Sequence, residues 1–265
     1  MEYNPEQFWQ ARLEEKFSLA GVGLRRRGEN FNRWVYRARL DRLQDVLAKH
    51  GIEVTGRRIL DIGCGTGFYI GFWHCFGPSL IKGVDITKKS IDELSQRYPQ
   101  YVFEKADISQ PCSHGDGPFD IITAFDVLFH IAGEAGFETA IANIRAHACE
   151  GSYVLLTGVF GRRSISVQKH YFARSHQRYK DVLTGNGIEI LDICPQLFLL
   201  NPPIDVSSRH LSYVLLSLWS LLTYPTLIEP VGQLLGRGLY IIDARMAQKL
   251  SSTLSTKIMV CRVES

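Results

Sequence analysis

The run Arg58-Ile-Leu-Asp-Ile-Gly-Cys-Gly-Thr-Gly67 constrains this chain more than any other stretch. Apolar residues at 59, 60 and 62 make a buried strand, three glycines follow at alternate positions, and an apolar helical stretch begins at Phe68. A strand that turns through glycines into a helix is the ligand-binding turn of an α/β sheet. Without a Cβ, Gly63, Gly65 and Gly67 let the backbone turn sharply and approach a bound molecule closely. The spacing decides which ligand. A dinucleotide fingerprint is G-x-G-x-x-G, yet the residue three after Gly65 is Phe68 and the residue three after Gly67 is Ile70. Asp61 stands just before the first glycine, where it would repel a phosphate but could pair with an ammonium group. The expected ligand is nucleotide-like and carries an amine in place of a pyrophosphate.

After Gly51, short apolar runs alternate with longer amphipathic ones, the signature of βαβ units and a parallel sheet. Strands are predicted at Arg58–Ile62, Leu80–Asp85, Tyr101–Lys105, Phe119–Phe125, Tyr153–Gly158, Ile188–Ile193 and Lys257–Val263. Between them, helices are predicted at Gly67–Phe76, Lys88–Arg97, Glu134–His147 and Ser175–Thr184. Pro5 to about His50 also reads as helical, broken at Gly21-Val22-Gly23. A chain of 265 residues, 45% hydrophobic and 22% charged, suits one large α/β domain with elaborations. It divides into an N-terminal helical lid over 1–50 and a main domain over 51–265. The net charge of +3, with a single basic cluster Arg25-Arg26-Arg27, does not suggest nucleic acid. Cys64, Cys75, Cys112, Cys149, Cys194 and Cys261 are scattered, with no C-x-x-C, so a reducing, cytoplasmic setting is expected. The start, with Glu2, Asn4 and Glu6, does not read as a signal peptide.

Further elements follow in order. Gly83-Val84-Asp85-Ile86 is an apolar strand ending in a carboxylate eighteen residues beyond Gly67, where it can accept ribose hydroxyls. Then come Glu104-Lys-Ala-Asp107-Ile108 and Phe119-Asp-Ile-Ile-Thr-Ala-Phe-Asp-Val-Leu-Phe-His130. Leu60 to Gly67 resembles motif I of the class I, Rossmann-like, S-adenosylmethionine-dependent methyltransferases. The last run resembles their motif IV, followed by the V-L-x-H-I turn of the small-molecule enzymes. The resemblance covers about Arg57 to Asp192. It implies a seven-stranded, mostly parallel sheet with an antiparallel last strand, and S-adenosyl-L-methionine at the carboxyl ends of the first strands. It also implies a cofactor site made of Asp61, Gly63, Gly65, Asp85, Ile86 and Phe125, with Asp107 on the adenine amino group and Ile108 on the adjoining backbone contact. Taken singly, Asp85 and Asp107 have helix capping as the lesser alternative.

Methyl transfer from a sulfonium is an in-line displacement, so the protein must chiefly hold the acceptor in place and exclude water. A hydroxyl acceptor also needs a general base. Among eight histidines, His130 is best placed, after the fourth strand; the alternative is that it packs beneath the cofactor against a backbone carbonyl. Asp126 could orient it, contact the cofactor's methionine end or cap a helix. His170, in the loop after the fifth strand, is the next catalytic candidate. No metal is expected, because paired acids after the fourth strand are missing. In the lid, Trp34, Tyr36 and Arg37 are candidates to meet the methionine carboxylate or the acceptor, and Arg37 is taken into the cofactor site; ordinary packing is the alternative.

About sixty residues separate the sixth and seventh predicted strands, forming a helical insertion over about 195–255. Its stretch Leu211–Ile228 has no charge and is apolar nearly all round, so it must be covered. The covers are a cap over an acceptor pocket, a homodimer partner, or peripheral contact with a membrane; a spanning helix is disfavoured by Pro225 and the serines. The expected function is O-methylation of a hydroxyl on a sugar, glycan or small metabolite. The rival acceptor is apolar, such as a quinone, polyketide phenol or lipid, and aromatic against polar lining separates the two. A cofactor-binding protein without catalysis is the alternative of a different class.

Overall fold

The computed structural model describes residues 3–111, 117–168, 170–206 and 208–264; Glu2 and Cys112 lie outside them. The chain opens with three helices, α1 (Pro5–Glu15), α2 (Leu19–Val22) and α3 (Glu29–Lys49). It continues through β1 (Arg58–Ile62), α4 (Phe68–His74), β2 (Leu80–Asp85), α5 (Lys88–Arg97), β3 (Val102–Lys105), β4 (Phe119–Ala124) and α6 (Glu134–Ala146). After β5 (Ala148–Gly158) come a hairpin of β6 (Ile165–Gln168) and β7 (Tyr171–Ala173), then α7 (His176–Gly185) and β8 (Ile188–Pro195). The insertion is α8 (Arg209–Thr223) and α9 (Glu229–Lys249), and β9 (Lys257–Val263) ends the fold. Side-chain caps start several helices: Asn4 before Pro5, Thr87 for α5, Ser175 for α7 and Ser208 for α8.

Seven strands form one sheet in the order β3-β2-β1-β4-β5-β9-β8. The chain runs outward from β1 to β3, then restarts beside β1 with β4, so the strand order reverses between β1 and β4. Crevices at such a reversal, at the carboxyl ends of the strands, are where open α/β sheets bind ligands. β9 is antiparallel to β5 and β8, as the resemblance implied. The hairpin β6–β7 was not foreseen.

The sheet buries both faces, which is why its central strands are apolar runs rather than alternating ones. On one face Leu60, Ile122 and Leu156 meet Phe137, Ile141 and Tyr179 of α6 and α7. On the other, Ile59, Ile121 and Val260 meet Leu43 and Leu47 of α3, Trp73 of α4 and Leu94 of α5. Thus α3 is a core helix, and only α1 and α2 remain as cover. The N-terminal half of α3 packs through Phe31, Val35 and Ala38 on Leu197, Leu200 and Leu239, so this helix is held between the sheet and the insertion.

Two carboxylates fasten the insertion. Glu229 accepts the backbone N–H groups of Glu29 and Asn30, both at 2.9 Å, and so caps α3, whose own preceding residue, Gly28, has no side chain to do so. Asp243 is buried and accepts the N–H of Phe198 at 2.9 Å and of Leu199 at 2.7 Å. Burial raises its pKa and those amides oppose the shift. Asp243→Ala leaves the amides without partners, each costing about 1–3 kcal/mol. We expect the variant to lose about 2–4 kcal/mol in urea denaturation; a loss below about 0.5 kcal/mol would show that water or another group satisfies them.

Candidate active site

The glycine turn is shaped by what lies around it. Gly63 and Gly67 sit at φ of 74° and 78°, and a Cβ on them would approach Val127 Cγ2 to 2.2 Å and Leu94 Cδ2 to 2.3 Å. Gly63 and Cys64 donate their N–H groups to the Val84 carbonyl at 2.7 and 3.1 Å, and Gly67 donates to the Cys64 carbonyl at 2.8 Å. Gly65 donates to Asp85 Oδ2 at 2.9 Å. These amides are engaged inside the protein, so the turn does not present the N–H array that cradles a phosphate.

Above the turn lies a cavity of about 350 Å³. Gly63, Gly65, Asp85, Ile86, Asp107, Ile108, Phe125, Asp126 and His130 all line it, and α1 covers it with Pro5, Trp9 and Leu13. Asp85 is buried, which raises its pKa, against hydrogen bonds from the Thr87 N–H at 2.8 Å, the Thr87 hydroxyl at 2.7 Å and Gly65. Ser90 contributes a further hydrogen bond, so the roughly four lone-pair positions of the carboxylate are largely taken inside the protein. Asp107 receives the Ser109 N–H at 2.9 Å and hydroxyl at 2.7 Å on Oδ1, leaving Oδ2 for the cavity. This loop is pinned from below by Asn143 of α6, whose buried amide donates to the carbonyls of Ile108 and Gln110 at 2.8 and 2.7 Å. No motif marks an asparagine in a helix interior, and the sequence reading missed it.

Three expected residues lie off the cavity wall. Asp61 points beneath the turn, where Thr123 donates to Oδ1 at 2.6 Å while the buried Oδ2 has no partner. Burial pushes its pKa up to about 7, and among the described residues no cation is paired with it. Arg37 turns outward to Asp41. The buried guanidinium is instead that of Arg39, which ion-pairs with Asp126 and lies 4.8 Å over the Tyr36 ring. The stripe Tyr36, Leu40, Leu43, Leu47 contains position 39 and not 37, a signal that helical spacing alone could have supplied. The third residue is His170, which stacks on Phe8 of α1 at 4.7 Å.

Asp126 holds a left-handed backbone at φ of 60°, uncommon outside glycine. Its N–H donates to the Thr157 hydroxyl at 2.7 Å, which in turn donates to its carboxylate at 3.1 Å. His130 follows in a short 3₁₀ turn, Leu128–His130. Arg174, buried, ties that turn down by donating to the carbonyls of Leu128, Ile131 and Gly133. The His130 Nδ1 lies 2.5 Å from the His170 carbonyl oxygen. A carbonyl only accepts, so Nδ1 carries the proton and Nε2 keeps its lone pair. Enclosure by Trp9, 4.9 Å away, and its other neighbours lowers the His130 pKa to about 4, and the ring is neutral at neutral pH.

Among the described residues, one group has metal-ligand chemistry: His50, Asp192 and Cys194, with donor atoms within 4.8 Å of one another. The Lys49 ammonium already sits 2.6 Å from Asp192, and none of these residues lines the cavity.

Residues 59–151 match a family described as a methyltransferase domain. A ubiquinone biosynthesis O-methyltransferase of Neisseria meningitidis serogroup C (strain 053442) is 26% identical over 99 residues, 35% of this chain and 41% of that protein. The protein of the same description from Albidiferax ferrireducens (strain ATCC BAA-621 / DSM 15236 / T118) is 24% identical over 100 residues, 36% of this chain and 39% of its own. The chain thus spans about two-fifths of the length of the curated relatives it matches. Among solved structures, the magnesium protoporphyrin IX methyltransferase of Synechocystis PCC 6803 with bound S-adenosylmethionine superposes with a TM-score of 0.58 at 14% identity, over 99% of this chain and 98% of that one. The N-methyltransferase NodS of Bradyrhizobium japonicum WM9, in complex with S-adenosyl-L-homocysteine, gives 0.54 at 14%, over 86% and 87%. A cyclase, SpnF, gives 0.53 at 18%, over 84% and 80%, so this fold does not by itself fix a reaction. Residues 59–151 thus carry a methyltransferase domain, set within a fold shared with S-adenosylmethionine-dependent methyltransferases.

Proposed function

We propose that the protein methylates a hydroxyl on an apolar, aromatic acceptor, a phenol in chemical class. One observation carries this reading: the neutral, Nδ1-protonated His130 stands at the end of the cavity walled by Trp9, Leu13 and Ile131. A sugar brings several hydroxyls, each costly to bury without a partner, and this wall offers few. The curated relatives named for ubiquinone O-methylation support the same acceptor class over the sugar expected from sequence.

The residues fit S-adenosylmethionine. Asp85, on the cavity wall, is the candidate acceptor for a ribose hydroxyl, which would exchange with one of its internal donors, and Oδ2 of Asp107 would take the adenine amino group. Gly63 and Gly65 allow close approach of the backbone, and Phe125 and Ile108 supply apolar contact. At the methionine end, Asp126 on the cavity wall, ion-paired with Arg39 and next to Tyr36 and Tyr69, would meet the amino acid group. When bound, the cofactor supplies an electrophilic methyl on a sulfonium that a nucleophile displaces in line. His130 Nε2 receives the hydroxyl proton while the His170 carbonyl holds the ring in register. Its low pKa keeps the base unprotonated across the physiological range but makes it weak. That matches a phenol, with a pKa of about 10, better than an alcohol. The α1 side chains exclude water.

His130→Ala should lower the maximal rate about 10²–10⁴-fold on a phenolic acceptor, with cofactor affinity unchanged. The pH profile is a sharper test. A base is active when deprotonated, so a pKa lowered to about 4 moves the acidic limb of kcat/KM down to about pH 4, and the rate stays flat through pH 5–8. A limb near pH 6.5 that persists in His130→Gln would place the base elsewhere.

Asp85→Ala should weaken S-adenosylmethionine binding about 10- to 100-fold by calorimetry, through loss of one charge-assisted hydrogen bond and of the Gly65 tether. Unchanged affinity would show that the ribose lies elsewhere.

A further inference from the structure

Among the described residues, none of 195–255 lines the cavity, and the insertion leaves its outward face exposed. On α8, Leu211, Val214, Leu218, Leu221 and Leu222 share one face at helical spacing and are 46–74% exposed. The connecting turn adds Tyr224, Leu227 and Ile228, and α9 adds Leu234, 74% exposed, with Ile241 and Ile242. An apolar face of this extent is rare on a free monomer.

The charges around it have one sign. The three acids of 195–255 are all engaged internally: Asp205 with Lys257 at 2.7 Å, Glu229 on the start of α3, and Asp243 on the Phe198–Leu199 amides. The four cations, Arg209, Arg237, Arg245 and Lys249, are exposed, and among the described residues none has an ion pair. At 100° per residue, Arg237, Arg245 and Lys249 fall on the same face of α9 as Leu234 and Ile241. We propose that this face docks on an anionic lipid bilayer, its leucines in the interface and its cations among the headgroups.

A second copy across a two-fold axis would set these cations against one another, with no free carboxylate from this segment to meet them. A bilayer covers the apolar surface and neutralises the charge together. The contact is peripheral: among the described residues no helix is long and apolar enough to cross a membrane.

The insertion is also joined to the cavity wall through α3. Gly28 N–H donates to the Thr226 carbonyl at 3.2 Å and Arg27 Nε to the Thr223 hydroxyl at 2.8 Å. From the capped start of α3 it is about 10 Å, at 1.5 Å per residue, to Tyr36 on the cavity wall. Docking therefore seats the site beside the bilayer, where an apolar acceptor would dissolve. That last step rests on the function proposed above; the docking itself does not.

Sedimentation with vesicles tests the docking. The wild-type chain should pellet with phosphatidylcholine vesicles containing phosphatidylglycerol, and much less with phosphatidylcholine alone or at high salt. The double variant Leu221→Ser, Leu234→Ser, altered only at exposed positions, should bind at least about tenfold more weakly while its affinity for S-adenosylmethionine is unchanged. Three results would overturn the proposal: no wild-type binding to anionic vesicles, equal binding by the variant, or a dimer by light scattering that the variant splits into monomers. None of these touches the pH profile that tests His130.

Discussion

The tie between the first two strands underlies everything else in this protein. β1 and β2 are parallel neighbours in register, Ile62 against Val84, and that register sets the Val84 carbonyl and the Asp85 carboxylate beneath the glycine turn. With its amides fixed there, the turn is a rigid floor whose free surface is Cα hydrogens and carbonyls. Such a floor suits a neutral ribose and an amino acid moiety, and offers little to a phosphate. The carboxylate that would recognise the ribose is itself an anchor of the floor, so recognition and architecture share one side chain.

Burial works in two directions around the site. It strips Asp61 of solvent and leaves one oxygen without a partner, a cost of order 1–3 kcal/mol that a bound cation would relieve. It also holds His130 neutral and so able to accept a proton, at the expense of basicity. Asp61 is enclosed within the sheet beside Thr123, and His130 by Trp9 of α1 and neighbouring aromatic rings. A site more open to water would return both groups toward their ordinary values and lose the discrimination in the process.

Much of the fold was legible because its signals are local. A strand ending in glycines, carboxylates at the ends of β2 and β3, and a histidine after β4 are each read from a few consecutive residues, and their order fixes the sheet. What stayed hidden depends on partners far away in sequence. Helical spacing puts position 39 rather than 37 on the buried side of α3, but the partner that holds Arg39, Asp126, lies 87 residues later and no spacing names it. Arg174 and Asn143 act by holding carbonyls of other loops, a role no spacing announces. The insertion was rightly seen as apolar all round, but its place was not: Phe31 and Val35 of α3, read as lid, are the surface it packs on.

The cap that Glu229 provides for α3 has a consequence for how the molecule is made. The residue before the helix is glycine, and the carboxylate that completes its first turn is supplied 200 residues downstream. During synthesis the amino end of this helix lacks its capping carboxylate until residue 229 has emerged, and β9, which completes the sheet, follows later. The wall carrying Tyr36 and Arg39 is thus among the last parts to settle.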